Sequence, residues 1–86
     1  MTQNIPPVAD VNGALNDVKE HLALVSDRQI ALLLDIEKQN VAAWRSNGEV
    51  PANRACQIEM LTEGRVTWRD LCPRLVQDTV EIWRAL

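Results

Sequence analysis

Neither phenylalanine nor tyrosine occurs in this chain, so Trp44, Trp68 and Trp83 supply all of its aromatic surface. Histidine appears once, as His21, and cysteine twice, as Cys56 and Cys72. That inventory falls short of the four Cys and His ligands of a structural zinc site, and the sequence calls for no metal and no cofactor. No apolar run approaches the roughly 20 residues that span a bilayer. The opening MTQNIPPVAD lacks the basic-then-apolar layout of a signal peptide. These absences predict a cytoplasmic protein with no membrane partner. In that setting a disulfide between Cys56 and Cys72 is the disfavoured alternative, and two reduced thiols are expected, with Cys56 a small apolar group in the core. A Gly-rich phosphate loop is missing, no Ser or Cys is paired with a His in a plausible arrangement, and the carboxylates are scattered. The sequence therefore predicts no enzyme. The interleaved aromatics of a single-strand nucleic-acid binder are missing as well.

What is present is one short, acidic, helix-rich unit. A chain of 86 residues buries only about 60–65% of its unfolded surface, so its core is thin and pairing of two copies adds stability. The net charge is −3, which by itself disfavours nucleic acid. The distribution is uneven, however. Residues 1–37 carry a net −4, and residues 55–86 a net −1. Between them, Lys38, Arg45 and Arg54 against Glu49 give +2. A small basic footprint on an acidic body predicts modest, salt-sensitive binding to a polyanion.

Periodicity divides the chain into five to six helices with no convincing strand; Val66-Thr67 is the only short extended candidate. Residues 1–10, with Pro6-Pro7, have the composition of a flexible N-terminal arm. Val11, Leu15, Val18 and Leu22 predict a first helix from about Val11 to Leu24. Ser26 with Gln29 three residues on is a capping box opening the second. Gly48 closes the third, which runs from about Lys38 to Asn47. Pro51 suits the first turn of a fourth helix, which Gly64 ends and in which Ala55, Ile58 and Leu61 form the buried stripe. Thr67 with Asp70 signals a short fifth helix. Pro73 opens a sixth, with Leu75, Val76, Thr79, Val80, Ile82, Trp83 and Leu86 as a wide apolar stripe. His21 has no evident partner and belongs on an exposed helix face.

The most informative stretch is DRQIALLLDIEKQNVAAWRSN, Asp27 to Asn47. Ile30, Ala31 and Leu34 fall on one face of one helix, and Val41 and Trp44 on one face of the next. Ile36 plugs the corner, and Ala31 is the small residue where the backbones cross. Asp35 stands where such a turn wants positive φ, which Asp tolerates better than most residues. This is the pattern of a helix-turn-helix whose second helix turns its outer side toward a DNA major groove.

From Ile30 to Leu71 the chain resembles the small Cro-type regulators of lambdoid prophages, above all the Cro proteins of P22-like phages and the YdaS-like branch of prophage antitoxins or Cro analogues. The resemblance rests on Val-Ala-Ala-Trp-Arg at 41–45, Gly-Glu-Val-Pro-Ala at 48–52, Gln-Ile-Glu-Met-Leu-Thr at 57–62 and Val-Thr-Trp-Arg-Asp-Leu at 66–71. It implies an all-α, compact, Cro/repressor-like helix-turn-helix domain over residues 11–72, followed by a C-terminal helix at 73–86. It also implies that the helix 38–47 presents Lys38, Gln39, Ala42, Ala43 and Ser46 to DNA. Gln39 suits a bidentate pair with adenine, Lys38 a guanine or a phosphate, and the alanine methyls a thymine methyl. Asn40 is lateral, while Arg45, Ser46 and Arg54 are placed for the backbone. The amides opening the second helix suit another phosphate, which Arg28 supports and Asp27 opposes.

Each of these residues has a plainer reading. Trp44 is a core residue first. Lys38 and Arg45 also read as solvated charges, and Gln39 as a good helix former on an exposed face. The C-terminal stripe serves either its own domain or a dimer seam through Val76, Val80, Trp83 and Leu86. The function expected is a sequence-specific double-stranded DNA-binding transcriptional regulator, a homodimeric repressor on operator half-sites one helical turn apart. The alternative is a helix-turn-helix protein-interaction module or antitoxin-type protein that binds a partner protein rather than DNA.

Overall fold

The computed structural model describes residues 10–86; the expected arm, all but its last residue, lies outside the described residues. Six helices follow one another: α1 (Val11–His21), α2 (Asp27–Leu34), α3 (Lys38–Asn47), α4 (Ala52–Leu61), α5 (Trp68–Leu71) and α6 (Pro73–Ala85). There is no strand among the described residues. The Val66-Thr67 pair forms no strand: Val66 lies buried in a bend, and Thr67, with extended backbone, is the N-cap of α5.

The core is aliphatic, as a chain without Phe or Tyr requires. Leu15 and Val18 of α1, Ile30 and Ala31 of α2, Val41 and Trp44 of α3, Ala55 and Ile58 of α4, and Leu71 of α5 are buried together. Leu22, Leu24, Ile36 and Trp68 pack against this cluster while remaining partly exposed. The helix-turn-helix set of Ile30, Ala31, Leu34, Val41 and Trp44 is buried throughout.

Tight left-handed turns end the first four helices. The α2 end is the clearest: Asp35 adopts φ 56°, and Ile36 N–H donates back to Ala31 O at 2.9 Å. Ile36 then packs on the core, the apolar contact that accompanies such a cap. Gly48 ends α3 at φ 68°, and Gly64 at φ 82° lies in the turn after α4. α1 stops at His21, short of Leu24, because Ala23 takes φ 56° and Leu24 N–H donates to Lys19 O at 2.7 Å. No glycine marks that turn, so periodicity runs past it. Pro51 stands just outside α4 as its N-cap, and α4 itself ends at Leu61, before Gly64.

Two polar devices position the later helices. The buried Thr62 hydroxyl donates to Ile58 O at 2.9 Å and accepts from Val66 N–H at 3.1 Å, folding the turn into α5. Cys72, rather than Cys56, is the buried thiol, and its S–H donates to Val50 O at 2.9 Å. Cys56 is exposed because it follows Ala55 around α4 onto the outer side. Burial pushes the Cys72 thiol up to about 11, which keeps it in the unreactive protonated form.

Candidate nucleic-acid interface

Only Val41 and Trp44 of α3 are buried. At 100° per residue they define its inner side; Gln39, Ala42, Ala43 and Ser46 occupy the opposite arc, and Lys38 stands at its margin. All five are exposed, as is the lateral Asn40. The corner at residues 35–37 and the buried Ala31 bring α2 against α3 in the helix-turn-helix arrangement, and the outer side of α3 is uncovered among the described residues.

The two arginines placed near the backbone in the sequence reading behave differently from a solvated charge. Arg45 is half-buried, and its guanidinium is committed within the chain. Its Nε–H donates to Asp27 Oδ2 at 2.7 Å and its Nη2 to Asp27 Oδ1 at 2.8 Å. The same group reaches Asn12 Oδ1 and Asn16 Oδ1, each at 3.0 Å. Arg45 thus points away from the outer arc and joins α3 to α1 and α2. Hydrogen bonding from Arg45, joined by its charge and by Lys19, holds the Asp27 carboxyl below the usual carboxylate range against the opposing pull of burial. Lys19 Nζ adds a contact to Asp27 at 3.3 Å. Asp27, expected to repel a phosphate at the α2 N-terminus, is therefore neutralised locally.

Arg54 is also half-buried. Its Nη1 donates to Leu34 O at 3.2 Å and to Gln57 Oε1 at 2.9 Å, covering one of the carbonyls left open at the α2 end. Arg28 is exposed on the first turn of α2. Of the three cations in the basic segment, only Lys38 is exposed, at the margin of the outer arc. Ser26 Oγ accepts from Gln29 N–H at 3.4 Å, but Gln29 Oε1 accepts from Val25 N–H rather than from Ser26. The box at α2 is thus shifted by one residue. At α5 the box between Thr67 and Asp70 is complete.

The sequence gives no hint of Asn12, Asn16 or Asp27 as anchors of α3. Pairs separated by 18 to 33 residues leave no periodic mark. Arg74 is similar: its Nη2 donates to Asn47 O at 3.1 Å and its backbone N–H to Glu49 Oε1 at 3.0 Å, tying the start of α6 to the end of α3. No residue of α6 is fully buried. Val76 is half-buried, but Ile82, Trp83 and Leu86 are 64%, 75% and 94% exposed. The stripe therefore leaves most of its apolar side outside the domain.

Among the described residues, no group of three His, Cys, Asp or Glu is placed to hold a metal ion, and no helix is long and apolar enough to cross a membrane. No curated protein and no solved structure matches the chain. The family described as bacterial toxin YdaS matches residues 24–80, which take in α2 to α5 and more than half of α6. With that match covering more than half of its length, the chain belongs to the YdaS family, a small prophage-associated family of helix-turn-helix type.

Proposed function

We propose that the chain is a Cro-like, sequence-specific double-stranded DNA-binding regulator of a prophage or mobile element, akin to the Cro of P22-like phages. It reads operator half-sites with the outer arc of α3. One observation carries the reading: α3 buries only Val41 and Trp44 and leaves Lys38, Gln39, Ala42, Ala43 and Ser46 in solvent. Gln39 pairs with adenine, Lys38 with a guanine or a phosphate, and the two alanines with thymine methyls. Asn40, Arg28 and Ser46 meet the backbone at the margins, with Arg54 contributing what its cap on α2 leaves over. Arg45 drops out of the contact set. With so few exposed cations, few phosphates are neutralised, so affinity is modest and its salt dependence shallow.

A single helix of this size makes few base contacts, so the working species is a homodimer on a pseudo-palindrome, with recognition helices about 34 Å apart. The apolar side of α6, with the half-buried Val76 and the exposed Val80, Trp83 and Leu86, is the pairing element. The anchoring of Arg74 on Asn47 relates that element to α3. Such a dimer represses by occluding a promoter. An anisotropy titration against the DNA flanking its own gene tests the reading: the account expects preference over scrambled duplex, and equal affinity would remove the claim of specificity.

A second reading is a role directed at a partner protein, as toxin or antitoxin. The family's description favours it, and so do the exposed Leu32 on α2 and Met60 on α4, 68% and 78% accessible. A co-purifying protein together with no measurable DNA affinity even at low salt selects this reading.

A further inference from the structure

Asp27 is the first residue of α2, and Arg45 lies in the last turn of α3. The covalent turn, residues 35–37, joins the two helices at their other ends. Their ion pair therefore closes the open mouth of the helix-turn-helix, farthest from the turn. Both Asp27 oxygens are engaged, at 2.7 and 2.8 Å. Arg45 Nη1 also reaches the Asn12 carbonyl at 3.4 Å and Asn12 Oδ1 at 3.0 Å, and Nη2 reaches Asn16 Oδ1 at 3.0 Å. One guanidinium thus bridges three helices with all three of its nitrogens.

We infer that Arg45 and Asp27 form a positioning clamp. They set the angle between α2 and α3, and with it the fit of Lys38, Gln39 and Ala42 to base edges, without touching DNA themselves. The consequence for binding rests on the DNA-reading proposal; the geometric role does not.

Apolar packing at Ala31, Val41 and Trp44 attracts without direction, so it tolerates small rotations of α3. Recognition does not, since a site must be held within about 0.5 Å and 10–20°. A two-pronged Arg–carboxylate pair supplies the missing direction. The side chains are 21% and 30% exposed, so the pair adds little to stability and its effect lies in orientation. Electrostatics alone makes the opposite prediction for Asp27. Removing a carboxylate beside a DNA-facing surface strengthens binding.

The test compares the full chain with Asp27→Asn, Arg45→Met, the double variant and Arg45→Lys. The α2–α3 angle is measured without DNA, from residual dipolar couplings of backbone amides, with helix content followed by circular dichroism. Affinity is measured for a duplex selected from a random pool and for its scrambled counterpart. The clamp predicts an altered angle with helix content retained. It also predicts that Asp27→Asn weakens binding to the selected duplex about tenfold, that scrambled DNA binds as before or better, and that the double variant is no worse than either single one. Arg45→Lys, which keeps the charge and loses the fork, matches Arg45→Met. An unchanged angle overturns the clamp, and so does tighter binding of the selected duplex by Asp27→Asn. Should the wild-type chain prefer no duplex, the DNA reading fails and the angle alone decides the clamp. Should Asp27→Asn not fold, Arg45→Lys carries the same angle measurement.

Discussion

Asp35 shows how much one residue settles here. At φ 56° it turns the chain from α2 into α3, a conformation that costs an ordinary L residue about 1–2 kcal/mol and a β-branched one more. Asp35→Val is therefore expected to lower stability by about 1–2 kcal/mol in urea denaturation, with Asp35→Gly near neutral. The turn was legible because Asp stands between two apolar periodicities. Asp27 was not legible in the same way, because its partner lies 18 residues on and no local rule links them. Its carboxyl titrates below the unfolded value, taken as 3.8. A depressed folded value means that the stabilisation is complete above the unfolded pKa and is lost as pH falls through the folded one. The stability gap between wild type and Asp27→Asn should thus be constant from about pH 5 to 7 and close at more acid pH. A gap that grew on acidification would contradict the pairing with Arg45. The gap itself is small, since the pair is partly solvated.

Helix boundaries were legible wherever a dedicated residue marks them, as with Gly48 after α3, Thr67 before α5 and Pro73 opening α6. They were misread where a turn uses an unmarked residue. Ala23 takes positive φ with no glycine beside it, so α1 ends before its apolar stripe does; Glu63 takes positive φ ahead of Gly64, so α4 ends before its glycine. The α4–α5 turn depends on Thr62, whose hydroxyl joins Ile58 O to Val66 N–H inside the core. Thr62→Val keeps the shape and leaves the Val66 amide without its acceptor, at an expected cost of about 1–3 kcal/mol. Thermal or urea unfolding measures this, and no change would mean that water replaces the hydroxyl. The helix-turn-helix pair was the best-specified element, since its six apolar positions at 30, 31, 34, 36, 41 and 44 leave one way to bury both stripes. Its basic character was overestimated. Net charge along the chain does not show which way a side chain points, and Arg45 is turned inward by Asp27, Asn12 and Asn16.

On the scale of the whole molecule, α6 distinguishes a domain that is complete from one that still has a face to cover. Sequence periodicity located the stripe but left open which side of it meets the body. The first turn docks through Arg74, and the far half, with Ile82 and Trp83, stays exposed. Replacing Trp83 by Asp is expected to leave helix content and unfolding midpoint near those of a monomer while abolishing dimers in sedimentation equilibrium. A wild-type chain that is monomeric at all concentrations would contradict the pairing role of α6. Loss of the dimer should also lower affinity for a two-half-site operator much more than for a single half-site.

The central claim is that the outer arc of α3 meets base edges. Its most direct test selects duplexes from a random pool at moderate salt, then titrates the winning sequence and its scrambled counterpart with wild type and Gln39→Ala. The account predicts a clear preference by the wild type, and a loss of about 1–3 kcal/mol in Gln39→Ala on the winning sequence with little change on the scrambled one. No sequence preference by the wild type, or a Gln39→Ala variant that binds both duplexes as the wild type does, would contradict it.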